Sequence, residues 1–297
     1  MSYDLFFRRR TSRQSVSRQD LDAYFSDRPS WTTESPQASY SNEDTGVYFS
    51  FFHSDARETD GDDEVEPHPL ALPIAFNLNY FRPHPFGLEA ETEVGEFVRH
   101  FDLTISDPQT SGMGDGEYFA EGFLRGWNAG NAFAYSAIGA MDGPREYFSL
   151  PGDLIEAGWR WNLNRNLRAE ELEIDLVAAF VPRVMFLNYD GNLNTAVVWG
   201  DGIPILLPDV DRVIVPRKEL APGADDVVFF TREEIQPLVS GFEKVPGEPS
   251  FHRLIYEQPP AAIRQAIRNK AVPATKPKII PFDQVLNQEL LSQSAMD

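Results

Sequence analysis

Apolar and polar residues alternate in several segments of the first half of the chain, and this alternation predicts strands. It is clearest over residues 3–8 and 74–80, where every second side chain is apolar and would lie on one face of a sheet. Apolar segments at 38–42 and 47–52 flank the turn-forming residues 43–46, which predicts a hairpin. The two alternating strands could also pair with each other in a single sheet.

Helical spacing follows in the same half of the chain. Ser17, with Asp20 three residues later, predicts the start of a short helix. Apolar residues spaced three or four apart predict longer helices over 87–100 and 118–140. The second of these contains three glycines four residues apart, which we interpret as sites of close helix packing: Gly122, Gly126 and Gly130.

The second half reads as one helix over 151–166, then a series of short strands from 181 to 230. Asp190-Gly191 and Asp201-Gly202 each predict a hairpin turn between strands. The segments 211–220 and 226–235 have similar patterns, which predicts adjacent strands built alike.

Helix signals return near the end of the chain. Thr231 and Glu234 form a capping box at the start of a helix. Pro259 and Pro260 predict a second helix, which ends near Asn269, and a terminal helix is expected at about 282–291.

These elements together predict an α+β fold with mainly antiparallel sheets and helices packed on one face. The helix-rich first half and strand-rich second half suggest two subdomains, residues 1–146 and 147–297, and one continuous domain is the alternative.

Charge narrows the possible partners. The chain has 46 acidic against 26 basic side chains, a net charge of −20, and the segment 19–66 alone carries 13 acidic residues against two arginines. Such a field repels nucleic acid and anionic membranes and speeds encounter with basic proteins. The densest part, within 54–69, has no apolar periodicity and is predicted to be a solvated acidic loop. Its candidate partner-binding residues are Asp60, Asp62, Asp63 and Glu64.

Several chemistries find no support in the sequence. Cysteine is absent, which excludes disulfides, thiol catalysis and thiolate metal sites. The five histidines are scattered without metal-ligand spacing, the Gly112–Gly116 loop lacks a phosphate-binding lysine, and no nucleophile–histidine–acid grouping is recognisable. Residues 158–161 with Arg168 form a basic–aromatic cluster, whose tryptophans we expect in the core and whose arginines we expect to pair with nearby acids. We therefore predict no cofactor, no metal and no catalytic residue.

The opening residues 2–7, Ser-Tyr-Asp-Leu-Phe-Phe, with the segments 76–83 and 101–109, resemble bacterial immunity proteins of polymorphic toxin systems. The resemblance covers about a third of the chain and transfers no functional residue. It implies a binding protein that neutralises a toxin.

Charge and resemblance lead to one preferred function and two alternatives. The preferred function is a non-enzymatic acidic binding protein, an immunity-type inhibitor of a basic toxin or nuclease. The alternatives are an enzyme or small-molecule-binding protein with a site built from dispersed residues, and a subunit of a bacterial or phage assembly.

No apolar run reaches the ~18 residues of a membrane span, and arginines follow the short apolar opening, the reverse of a signal peptide. We therefore expect a cytoplasmic protein.

Overall fold

The structure is a computed structural model that describes residues 1–14, 16–53, 68–139, 147–221 and 226–294. The chain divides into two compact units. Unit 1 comprises Met1–Tyr147 and Leu286–Asp297, and unit 2 comprises Phe148–Val285. The terminal segment therefore belongs to unit 1, although it follows unit 2 along the chain.

The strands are β1 (Ser2–Arg9), β2 (Trp31–Glu34), β3 (Gln37–Ser41), β4 (Tyr48–Phe52), β5 (Ala71–Asn79), β6 (Leu103–Ser106), β7 (Asp115–Gly116), β8 (Phe148–Leu150), β9 (Met185–Tyr189), β10 (Asn192–Val198), β11 (Ile205–Pro208), β12 (Arg212–Pro216), β13 (Val227–Thr231), β14 (Glu243–Val245), β15 (Phe251–Leu254), β16 (Lys278–Ile280) and β17 (Val285–Asn287). The helices are α1 (Arg18–Ser26), α2 (Pro85–Phe101), α3 (Ala120–Gly139), α4 (Gly152–Leu163), α5 (Arg165–Ile174), α6 (Arg232–Val239), α7 (Ala261–Asn269) and α8 (Gln288–Ser294). Two short 3₁₀ helices are Gly200–Gly202 and Phe282–Gln284. The predicted α+β class with mainly antiparallel sheets is confirmed.

Unit 1 is built on a seven-stranded antiparallel sheet in the order β2-β3-β4-β5-β1-β6-β7. The two alternating strands pair with each other, the possibility that the sequence left open, because β1 lies beside β5 with Tyr3 opposite Leu78. The predicted hairpin is present as β3 and β4. The alternation along β1 determines which side chains face the core. Tyr3, Leu5 and Phe7 are fully buried, whereas Phe6, between Leu5 and Phe7, is exposed.

Helices cover the buried face of this sheet, as predicted. From α2, the ring of Phe97 contacts Phe7 edge-on, with the ring centroids 4.9 Å apart. From α3, the ring of Phe123 contacts Tyr3 in the same way at 5.0 Å. Edge-to-face aromatic pairs of this kind add to the free energy of apolar burial. The core of unit 1 is therefore an aromatic layer between one sheet face and its helices.

The glycines of α3 permit close packing, as the sequence predicted. A Cβ on Gly126 would stand 2.8 Å from the Tyr3 hydroxyl, and one on Gly130 would stand 2.1 Å from the Tyr80 hydroxyl. Real Cβ atoms do not approach so closely. The glycine spacing is therefore explained by the two tyrosines packed against it.

Unit 2 contains a five-stranded sheet, β13-β12-β10-β9-β16, and a three-stranded sheet, β11-β15-β14. Strands β12 and β13 are antiparallel neighbours, which confirms the prediction from their similar sequences. Asp190 and Gly191 link β9 to β10 with positive φ at both residues, as a two-residue hairpin requires. The hairpin prediction at Asp201-Gly202 is wrong. That segment is a 3₁₀ turn, and Asp201 Oδ1 accepts hydrogen bonds from the amides of Glu219 and Leu220.

Helix caps were predicted well. Both capping boxes, Ser17 with Asp20 and Thr231 with Glu234, are present. The terminal helix was predicted too early in the chain. It begins after Asn287, whose side-chain oxygen accepts the amide of Leu290, and the preceding residues form β17. This polar cap fixes the start of α8.

Candidate functional site

The four carboxylates predicted to bind a partner lie outside the described residues. Asp60, Asp62, Asp63 and Glu64 all fall within 54–67. Their role stays a prediction, and the candidate site described below is built from other parts of the chain.

An acidic pocket of about 350 Å³ opens on unit 2. The first two turns of α4 form one wall, and the segment after β11 and the segment before β15 form others. Gly158 leaves room at the base, where an added Cβ would lie 3.2 Å from the Val184 side chain. Four carboxylates line the pocket: Asp153, Glu156, Asp209 and Glu248.

Asp209 is the most firmly held of these carboxylates. Its Oδ2 accepts a hydrogen bond from the Ser250 hydroxyl at 2.6 Å and one from the Lys244 ammonium at 2.9 Å. Partial burial acts to raise the pKa of Asp209, but the hydrogen bonds from Ser250 and Lys244 outweigh burial and the pKa lies below its ordinary value. Asp209 is therefore a fixed negative charge at neutral pH.

The neighbouring wall is a rigid polar contact between two strands. Thr195 on β10 is buried, and both its amide and its hydroxyl donate to Asp211 Oδ2, at 2.9 and 2.7 Å. Arg232, at the start of α6, is the basic side chain that lines the pocket. Glu156, another lining residue, forms an i,i+4 ion pair with Arg160 on α4. The pocket lining carries more negative than positive side chains.

Asp209 and Ser250 are not arranged as a general base and an activated nucleophile. A general base works best with a pKa near the working pH, whereas that of Asp209 is lowered. Ser250 donates its proton to this weakly basic carboxylate rather than to a histidine. His252, two residues further on, is buried, and burial lowers its pKa, which favours the neutral ring.

Within the described ranges, no group of three or more His, Asp or Glu side chains is placed to hold a metal ion. Three histidines lie apart in unit 1: His53 is 3.6 Å from Asp22, His84 Nδ1 is 3.1 Å from the Asn287 amide, and His100 packs on the Tyr24 ring. Over the same residues, no helix combines the length and apolarity needed to cross a bilayer.

The basic–aromatic cluster is internal, as expected. Trp161 is fully buried and donates its indole N–H to the Pro182 carbonyl at 2.7 Å. The Arg168 guanidinium lies 4.5 Å from the centre of the Trp161 ring, so it makes a cation–π contact instead of the predicted ion pair. Arg160 does pair with an acid, Glu156.

Unit 1 has a larger groove, about 500 Å³, beside α3. Its walls combine glycine, alanine and the exposed Phe133 with hydroxyl and amide side chains, and the Tyr80 hydroxyl donates to Gln109 at 3.2 Å. None of the side chains that line this groove is charged. The acidic pocket of unit 2 is therefore the better candidate for recognition.

Sequence reasoning missed the pocket residues because they come from separate segments that only folding brings together. No motif marks Asp153, Asp209 or Glu248 in the sequence. A comparison of the chain with protein-family models, curated proteins and solved structures finds no match. The resemblance to immunity proteins therefore stays a prediction.

Proposed function

We propose that this protein binds a basic protein partner and acts as an immunity-type inhibitor of a basic toxin or nuclease. The observation that carries the proposal is the acidic pocket of unit 2. Its four carboxylates outnumber the three basic side chains that pair with them or line the pocket, Lys244, Arg160 and Arg232, and the net charge of the chain is −20, so the local and the long-range charges have the same sign. Complementary charge accelerates association and selects the partner.

The pocket is large enough to admit the side chain of a protein partner. Pockets for small-molecule ligands and cofactors span about 300–1,000 Å³, and this one, at about 350 Å³, is at the lower end. An arginine or lysine side chain entering it would meet the ionised Asp209 and the exposed Asp153 and Glu248 at the rim. Inhibition follows if that basic side chain belongs to the active site of the toxin.

The test begins with the tagged full-length chain as bait in a lysate of the source cells. A stoichiometric basic protein should be recovered, and stopped-flow mixing of the purified pair should show an association rate that falls between about 50 and about 300 mM NaCl. One equivalent of this protein should also suppress the toxic or nuclease activity of the partner.

Charge-reversal variants assign the effect to the pocket. Asp153→Lys and Glu248→Lys should each slow association roughly tenfold. Glu257→Lys is the matched control, because Glu257 is an exposed carboxylate of unit 2 that does not line the pocket. Recovery of no stoichiometric partner, an association rate insensitive to salt, or an equal loss in the control variant would overturn the proposal.

A further inference from the structure

Helix α5 of unit 2 has apolar side chains on two opposite sides. Leu172 is 6% exposed and belongs to the core of the unit, and Ala169 packs against the same core. Leu167 and Ile174 are 54% and 80% exposed. The helix therefore packs on the core through one side only. The apolar residues on its other side do not contribute to this packing.

The exposed residues lie along α5 and at its two ends. Leu167 and Ile174 are seven positions apart within the helix, a spacing that keeps their side chains on one helical face. At 1.5 Å per residue they are about 10 Å apart along the helix axis, with Glu170 between them. Leu163 is the last residue of α4, before Asn164. Single exposed apolar residues need no explanation, whereas a group of them on one face marks an interaction site. We call Leu163, Leu167, Ile174 and Leu176 the α5 outer face.

Leu176 lies just beyond the end of the helix. The amide of Leu176 donates to the Glu173 carbonyl and the amide of Val177 donates to the Leu172 carbonyl, the Schellman pattern. Leu176 occupies its left-handed position, with φ +55°, where glycine is usual and a side chain costs free energy. At 93% exposed it is also the most exposed large apolar residue among those described. The Leu176 side chain therefore contributes no apolar burial to the stability of the fold.

The charges around the α5 outer face are mainly acidic. Glu170 lies between Leu167 and Ile174, Glu171 and Glu173 flank them on either side, and Asp175 caps the helix C-terminus. Two arginines, Arg168 and Arg253, line the groove beside Leu167, and the Arg168 guanidinium packs on the buried Trp161 ring and donates to the Trp161 carbonyl. The face therefore combines exposed leucine and isoleucine side chains with carboxylates.

We propose that the α5 outer face docks a basic amphipathic helix of the protein partner, a proposal that rests on the proposed function and names a surface for it. Apolar side chains of that helix would cover Leu167, Ile174 and Leu176, and its lysines or arginines would meet the carboxylates on both flanks. A second copy of this chain is the less suitable occupant. A two-fold symmetric contact through this face would set the same carboxylates against each other.

The probe is a labelled synthetic helix with leucines at positions i, i+4, i+7 and i+11 and lysines at the flanking positions. Its control has the same composition in scrambled order, which keeps the charge and removes the apolar stripe. Fluorescence anisotropy with the full chain should show that the amphipathic peptide binds at least tenfold more tightly than the scrambled one. Equal binding of the two peptides would mean unspecific charge attraction and would overturn the proposal.

Substitutions then locate the binding. Leu167→Gln and Ile174→Gln should each weaken binding of the amphipathic peptide at least tenfold, and glutamine keeps a high helix propensity, so α5 is preserved. Leu176→Gly should weaken it severalfold without lowering the thermal midpoint. Val272→Gln is the control, because Val272 is an exposed apolar residue of unit 2 outside α5. Unchanged binding in the α5 variants, or an equal loss in the control, contradicts the proposal.

Two further measurements separate this proposal from the proposed function. Sedimentation of the chain alone should show a monomer. A dimer that Ile174→Gln dissociates would assign the face to self-association and overturn the docking proposal. If the partner recovered from the lysate binds with salt dependence but is insensitive to the α5 variants, the proposed function stands and this inference falls. If the amphipathic peptide binds α5 but no basic partner is recovered, the inference stands and the proposed function falls.

Discussion

Arg217 of unit 2 offers the sharpest test of how this fold is held together. Its side chain is only 9% exposed. Nη1 donates to the carbonyls of Ile267, Arg268 and Lys270 at 2.8 to 3.0 Å, at the C-terminus of α7. The last carbonyls of a helix have no partner within the helix, and here one buried cation satisfies them. The other edge of the guanidinium holds Asp226 with two hydrogen bonds, at 2.7 and 2.9 Å.

Arg217→Met should destabilise unit 2 by about 3 kcal/mol. Methionine retains the apolar stem but leaves the three carbonyls without their donor, and one hydrogen bond to a charged group contributes about 1.5–3 kcal/mol. The loss of several such bonds is offset in part, because burying a guanidinium costs desolvation free energy and burying a methionine does not. With a urea slope of about 2 kcal/mol/M, this corresponds to a midpoint lowered by about 1.5 M.

Urea unfolding followed by tryptophan fluorescence measures the effect. Unit 2 contains Trp159, Trp161 and Trp199, all buried, so its unfolding has a strong signal. Arg217→Lys is the informative control: it keeps one charge but loses the planar fork, and its stability should fall between those of Arg217→Met and the parent chain. A midpoint for Arg217→Met within about 0.3 M of the parent value would refute the argument, since the cap would then contribute nothing measurable.

The same contact predicts a pH dependence. Hydrogen bonds from Arg217 hold the pKa of Asp226 below its ordinary value. A group whose pKa is lower in the folded state contributes stability above its unfolded-state pKa and loses it as the pH falls through the folded-state pKa. The parent chain should therefore lose part of its stability on acidification below about pH 4. Arg217→Met should show a smaller acid-dependent change, measured as the urea midpoint between neutral and acidic pH.

Three further substitutions test single contacts. Gly130→Ala should cost about 2 kcal/mol, because its Cβ would overlap the Tyr80 ring, and Gly241→Ala, where the space is open, should be close to neutral by thermal unfolding. Thr231→Ala should cost about 1 kcal/mol through loss of the α6 cap, and Thr231→Ser should restore most of it in the same assay. Leu176→Gly should raise stability by roughly 1 kcal/mol, since glycine takes positive φ without strain, and a lower thermal midpoint would contradict that assignment.

Local signals predicted much of the fold. Alternation identified β1 and β5, because a strand with one buried face repeats every two residues, and their pairing was one possibility among others. The capping boxes at Ser17 and Thr231 were identified because the cap is formed by residues three apart. Asp190-Gly191 was a correct turn signal and Asp201-Gly202 was not. An Asp-Gly pair can form either a hairpin turn or a 3₁₀ turn. The pairing of the flanking strands decides which of the two is formed.

The candidate site could not be predicted in the same way. Asp209 is separated along the chain from Lys244 and Ser250, and it becomes a fixed charge only because β11, β14 and β15 form one sheet. The charge of the whole chain was readable from composition and pointed towards a basic partner. The pocket that we propose for this recognition depends on tertiary contacts that no local pattern encodes.

Helix α5 shows most clearly that the sequence alone does not tell which apolar side chains are exposed. Its sequence has Leu167, Leu172 and Ile174 within eight residues, and these residues point to opposite sides of the helix rather than along one stripe. Only the core of unit 2 decides that Leu172 is buried and the other two are not. Leu176 adds a further argument, since its side chain costs free energy at positive φ and recovers none by burial. The Leu176 side chain is therefore available for a contact outside this fold, and a bound partner is the proposal that the surrounding carboxylates support.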